Sequence, residues 1–296
     1  MPLLHHGGIE SSAVWLTLGF ALTALVYLRG WLHLRSTSAN IISVWRAISF
    51  LLGLLLIWAA VASPIAALDH ELLTVHMLQH LLLMTLAPPL IWMGAPFMTL
   101  LHGLPRQFVH TVIRPLLQSA PLRITGCTLT QPALCWFAAA AALVGWHIPA
   151  LFALGLRSEG WHLAEHVSFL ATGLLFWWPV VQPWPSVPRW PELSVILYLF
   201  LATLPCDILS GFLVFCDRVV YPVYFASTRP FGMSALEDQQ CAGALMWTCV
   251  TIVYLVVGAF LTTRLLSGQT HEDELAQSEL RASQAAQKVL QRLEAF

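Results

Sequence analysis

Five histidines in this chain fall at spacings that suit a metal ion. His76 and His80 are four residues apart, as are His162 and His166. Four residues is about one helical turn, so each pair shares a face. His147 stands alone in Trp146-His147-Ile148-Pro149. Neutral imidazole suits copper, zinc, iron and nickel, whereas thioether and thiolate favour monovalent copper. Met77 and Met84 lie close to the face of the first pair, and Met246 is carried by the last apolar segment. They tilt the choice toward copper as Cu(I), although methionine also fills gaps in ordinary cores. Glu165 lies beside the second pair and Asp238 starts the last apolar segment. Each can orient an imidazole from behind, or simply be a helix-end charge in water. A single histidine on an apolar face is usually a packed core residue. Two pairs and a fifth histidine at one depth are harder to dismiss.

Depth follows from the elements that must carry these residues. The chain has 296 residues, 58% hydrophobic and only 10% charged. Soluble domains carry about 25% charged residues, so most of this surface is expected to face a lipid bilayer. Its 13 Trp and 18 Pro suit helices that meet and break at a bilayer interface. A hydrocarbon core of about 30 Å needs roughly 20 apolar residues, and seven runs qualify: about 13–34, 41–63, 72–93, 133–154, 162–182, 192–215 and 239–266. Unsatisfied backbone is costly in lipid, so each is read as a helix. The run at 96–118 contains Pro96, Arg106, His110 and Arg114 and reads as interfacial. No cleavable leader is recognised: the first ten residues lack Lys and Arg, and the first apolar run is expected to be retained. The expected fold is an all-α membrane protein, with a seven-helix domain over 1–266 and a cytoplasmic tail over 267–296.

Positive charge sets the orientation. Arg29, Arg35, Arg46, Arg106, Arg114, Arg123, Arg189, Arg264, Arg281, Lys288 and Arg292 fall on one side; Arg157, Arg218 and Arg229 fall on the other. The first side is expected to be cytoplasmic. The N-terminus is then outside and the C-terminus inside, as an odd number of spans requires. His76 and His80 lie roughly 6 and 12 Å below the outer end of the third span, and His147 roughly 10 Å below that of the fourth. His162 and His166 open the fifth. His5, His6 and His70 also fall outside, in the tail and the loop before the third span, the latter beside Asp69; His33, His102, His110 and His271 do not share the pattern.

Ala282, Ala286, Val289, Leu293 and Phe296 form one apolar stripe in the tail, which is either a solvated helix or a docking or dimerisation helix. The net charge of −1 and the absence of a basic patch give no hint of a nucleic-acid partner. There is no phosphate-cradling glycine loop, no HExxH and no nucleophile elbow, so no enzyme activity is expected. The six cysteines form no CxxC; a Cys216–Cys241 disulfide is left open.

The segments HMLQHLLLMTLAPPLIWMGAP (76–96), WHIPALF (146–152), HLAEHVSFLATGLLFWWP (162–179) and DQQCAGALMW (238–247) resemble the multi-span CtaG family of cytochrome c oxidase assembly factors of bacteria. The first 40 residues and the tail after 267 match nothing recognisable. The resemblance implies a seven-helix inner-membrane protein of the respiratory chain that helps mature the oxidase by supplying copper as a chaperone. Its partners would be oxidase subunits, a periplasmic copper donor, the lipid bilayer and, left open, a second copy. His76, His80, His147, His162, His166 and Asp238 are the positions that match the family's motif. Two other readings stay open from the residues. Paired histidines on facing helices can ligate heme iron, and a metal transporter would continue its ligands toward the cytoplasm, where the spans are apolar.

Overall fold

A computed structural model describes residues 6–37, 43–183, 190–226 and 230–294, with side chains described within 13–36, 43–183, 190–226 and 231–267. His5, Arg189 and Arg229 therefore lie outside the described residues, as do the side chains of His6, His271 and the tail stripe.

The described residues are helical, without a strand. The order is α1 (His6–Thr37), α2 (Val44–Ala62), α3 (Leu73–Met93), α4 (Pro96–Gly103), α5 (106–118), α6 (Ala120–Leu129), α7 (Pro132–Trp146), α8 (Pro149–Arg157), α9 (Glu159–Val181), α10 (Glu192–Phe215) and α11 (Ala235–Glu294). Five helices are long and apolar enough to cross a membrane: α1, α2, α3, α10 and the first part of α11, to Ser267. A sixth span arises if α6 and α7, bent by 70°, count as one.

Two expected boundaries are corrected. The run 133–154 is not one helix: α7 ends at Trp146 and α8 starts at Pro149. A proline disfavours helical backbone in the residue before it, and Ile148 is extended at φ −66°, ψ 123°. The tail is not a separate helix either, since α11 runs unbroken from Ala235 to Glu294. The expected fifth span is α9, a single helix of 23 residues. It carries Glu159, His162, Glu165 and His166 and is not among the five apolar ones.

The distribution of polarity is inverted. Leu22, Phe137, Leu163, Ile208 and Leu255 are exposed, while His76, Glu165, Asp238 and Gln239 are buried. Polar groups that cannot be left in lipid turn inward, so this is a multi-pass membrane protein.

α3 is the hub. Its first half packs on α11 and its second on α2 and α9. Between them lies one π-helical turn, Leu82–Leu86. Pro88 and Pro89 lack the N–H groups that would bond the carbonyls four residues back, and a wide turn relieves the clash. The Met84 carbonyl so released accepts a hydrogen bond from Trp177 Nε1 at 3.1 Å. On the facing helix, Gly173 lets α9 lie against this turn; a Cβ there would stand 2.7 Å from Met84 Cα.

Candidate metal centre

The N-terminus of α3 is fixed by a residue far along the chain. Asp238, in the first turn of α11, accepts hydrogen bonds from Leu73 N at 2.6 Å, Thr74 N at 3.0 Å and Thr74 Oγ1 at 2.6 Å. A carboxylate on the first free N–H groups of a helix caps it and meets the positive end of its dipole. α11 begins with a cap of its own, in which Glu237 Oε2 accepts from Ser234 N at 2.8 Å and Ser234 Oγ at 2.9 Å. Of the two roles the sequence left open for Asp238, the structure shows a helix-end one: it holds the helix on which two of the imidazoles ride.

One turn further along α3, His76 and His80 face inward with ring centroids 4.4 Å apart. α9 brings His162 and His166 to the same place, 4.3 Å apart. His76 and His162 are 5.7 Å apart, His80 and His166 6.0 Å, and His80 and His147 6.3 Å. All five sequence-predicted histidines therefore meet. Glu165 is not a charge in water but sits at the centre, fully buried, with Oε1 3.4 Å from Nε2 of both His76 and His80.

Asp69, from the loop before α3, closes the set from above. Its carboxylate lies 3.3 Å from His162 Nε2 and 3.7 Å from His70 Nε2. Two donor sets result, Asp69–His76–His162 and His76–His80–Glu165, with the donor atoms of each within 4.8 Å of one another. His76 belongs to both.

Few of these atoms have other partners. Both ring nitrogens of His76 and His80, Nε2 of His162 and His166 and both oxygens of Glu165 are buried without a hydrogen bond. They make up more than half of such side-chain atoms among the described residues. Each unpartnered buried polar group costs about 1–3 kcal/mol. A cation that took up their lone pairs would offset that cost, so the residues present fit a metal ion.

Aromatic rings roof the cluster. Phe152 of α8 lies 5.0 Å from the His76 ring and 4.1 Å from that of Tyr221. Tyr221 donates to the His147 carbonyl at 3.0 Å and Tyr224 to the Asp69 carbonyl at 2.8 Å. Burial pushes the Tyr224 hydroxyl well above the usual tyrosine range, so it remains a neutral donor. Gln239 pins their loop by accepting from Val220 N at 2.7 Å and donating to Arg218 O at 3.1 Å. Access is graded, since the side chain of His70 is 56% exposed, that of His162 18% and that of His76 0%.

The methionines occupy a different place. Met77 Sδ lies 3.3 Å from His147 Nε2, and with Met84 and Met246 it lines a cavity of about 50 Å³ on the interior side of the cluster. Cys216 and Cys241 are both free thiols, so the disulfide left open from the sequence is not formed.

Gly155 supplies a test of the carboxylate. A methyl group there would stand 2.8 Å from Glu165 Oε2. The oxygen is the far end of a flexible side chain and can swing away. Gly155→Ala is therefore expected to keep the fold, shifting thermal unfolding little, while lowering retention of bound metal about tenfold, as lost outer contacts do. Side-by-side unfolding and metal analysis of the purified variant check both halves.

A family model described as cytochrome c oxidase caa3 assembly factor (Caa3_CtaG) matches residues 25–267. The match starts within the first 40 residues, a stretch in which the sequence showed no recognisable likeness. Curated proteins of Mycobacterium bovis and Mycobacterium tuberculosis, both described as uncharacterized, are 27% identical over 255 residues, covering 81% of this chain and 37% of theirs. An uncharacterized protein of Mycobacterium leprae is 23% identical over 247 residues, covering 78% of this chain and 35% of its own. The chain thus spans little more than a third of the length of these relatives. No solved structure matches it significantly.

Proposed function

The chain belongs to the family of cytochrome c oxidase caa3 assembly factors, and on that premise we propose that it holds copper for delivery to an oxidase subunit. The observation that carries this reading is the buried convergence of unpartnered imidazole nitrogens and a carboxylate at His76, His80 and Glu165. His162, Asp69 and the exposed His70 form an entry path to it. Copper is cargo here, and the residues bind it, orient it and shield it from water without a catalytic step. His147 and His166 stand close enough to take part as the ion moves inward. Imidazole and carboxylate alone do not choose among divalent metals; the family's link to an oxidase and the nearby thioethers favour copper. The cavity beside the rings, about 50 Å³, has room for a single ion.

We place seven spans in the bilayer of the bacterial inner membrane, counting α9 and the α7–α8 break as spans lined by the site. The positive side chains put the N-terminus and the site toward the periplasm and the C-terminus in the cytoplasm. A periplasmic donor would then load the site through His70 and His162.

The test is in cells whose oxidase assembly needs this chain. A His76→Ala, Glu165→Gln double variant, present in the membrane at normal abundance, is expected to yield oxidase with its heme spectrum but with copper content reduced at least about tenfold. Oxidase of normal copper content would contradict the reading.

A further inference from the structure

The donors around Met77 are not part of the carboxylate cluster, and their arrangement has a feature of its own. His147 closes the C-terminal end of α7, and its Nδ1 lies 2.7 Å from the Leu143 carbonyl. A carbonyl only accepts, so Nδ1 carries the proton of the neutral ring. Nε2 is then left with its lone pair, and it faces Met77 Sδ at 3.3 Å. Sulfur also offers a lone pair, so two acceptors point at each other in a place where His147 is 5% exposed and Met77 0%. A second ring proton would turn the contact into an N–H···S bond, but only by creating a charged imidazolium beside an apolar cavity, at a large desolvation cost. A soft cation bound by both atoms removes the conflict.

The cavity supplies further soft donors. Met84, Met246 and Cys206 line it with Met77 and His147, and His80 stands at its boundary with the carboxylate cluster. No carboxylate lines it. Thioethers in the absence of carboxylate favour monovalent copper, and imidazole is compatible with it.

We infer that this cavity is a second metal site, selective for a soft monovalent ion and built on Met77 Sδ and His147 Nε2. It is separate from the site at His76 and Glu165 and does not depend on the copper reading of that site.

Silver(I) is a suitable probe, because it shares the soft monovalent character and does not change oxidation state. The purified full chain is loaded with silver(I), desalted and analysed for retained metal and for sulfur neighbours by silver-edge X-ray absorption. Wild type is expected to retain silver with sulfur in its shell. Met77→Leu, a nearly volume-conserving change, should weaken that sulfur scattering and lower retention about tenfold, with Met246→Leu as a second probe of the same shell. In His76→Ala the sulfur scattering of bound silver should persist. Silver held equally by wild type and Met77→Leu, or wild type that retains none, overturns the inference. Wild type and His76→Ala that retain copper equally, with the silver–sulfur signal intact, would instead count only against the carboxylate site.

Discussion

Replacing His76 by alanine is expected to lower copper retention by at least about 100-fold while leaving a folded protein. His76 is the one residue shared by the two donor sets, so its loss opens Asp69–His76–His162 and His76–His80–Glu165 together. Residues that only orient a ligand already cost about 10–100-fold in affinity, and removing a shared ligand should exceed that. The fold has reason to tolerate the change. The imidazole makes no hydrogen bond that would be lost, and its ring packs mainly on Phe152 and the other histidines. The cavity left would cost a few kcal/mol at most. Titration of copper against a competing chelator, with thermal unfolding alongside, separates binding from stability. Equal retention by variant and wild type would remove His76 from the site.

Asp238→Ala is expected to act in the opposite way, through the scaffold. It takes the cap from α3 and leaves Leu73 N and Thr74 N without the partners they have now. Losing a cap costs about 0.5–2 kcal/mol, and hydrogen bonds to a charged group are worth about 1.5–3 kcal/mol each. Asp238 is itself buried, so water does not readily replace it. The variant should lose roughly 3 kcal/mol or more of stability, seen as a clear drop in the unfolding midpoint in detergent. Asp238→Asn keeps an oxygen for one N–H and should recover part of the loss. If Asp238→Ala unfolded like wild type yet lost copper, Asp238 would be a ligand instead of a cap.

How far the sequence reaches is visible in these residues. The two HxxxH pairs were legible because four residues on a helix fix a common face whatever the fold. Their meeting with His147 followed from matched depth, and the rings do meet. Glu165 was legible as a neighbour of the imidazoles, but its place at the centre was not, since its burial depends on packing against elements distant in sequence, among them α8 at Gly155. Asp69, Tyr221 and Tyr224 belong to loops whose course follows from tertiary packing; Tyr224 and Asp69 meet across 155 positions of sequence. The contact of Asp238 with Leu73 spans 165, beyond any local pattern. The break after Trp146 carried a local signal in Pro149, which an unbroken hydropathy run concealed. The seven spans were read from apolar length alone. Among the described helices five are long and apolar enough to span, and α9, read as a span from the sequence, is not one of them because the polar residues of the site lower its hydropathy.

Whether copper rests on the imidazoles and carboxylate around His76 is read out by copper-edge X-ray absorption on the purified chain, loaded with copper and desalted. Retained copper is expected to have nitrogen and oxygen neighbours and the outer-shell scattering of two or more imidazoles, a signal that collapses in His76→Ala. A chain that retains no copper, or one whose copper shows no imidazole scattering, would contradict this placement.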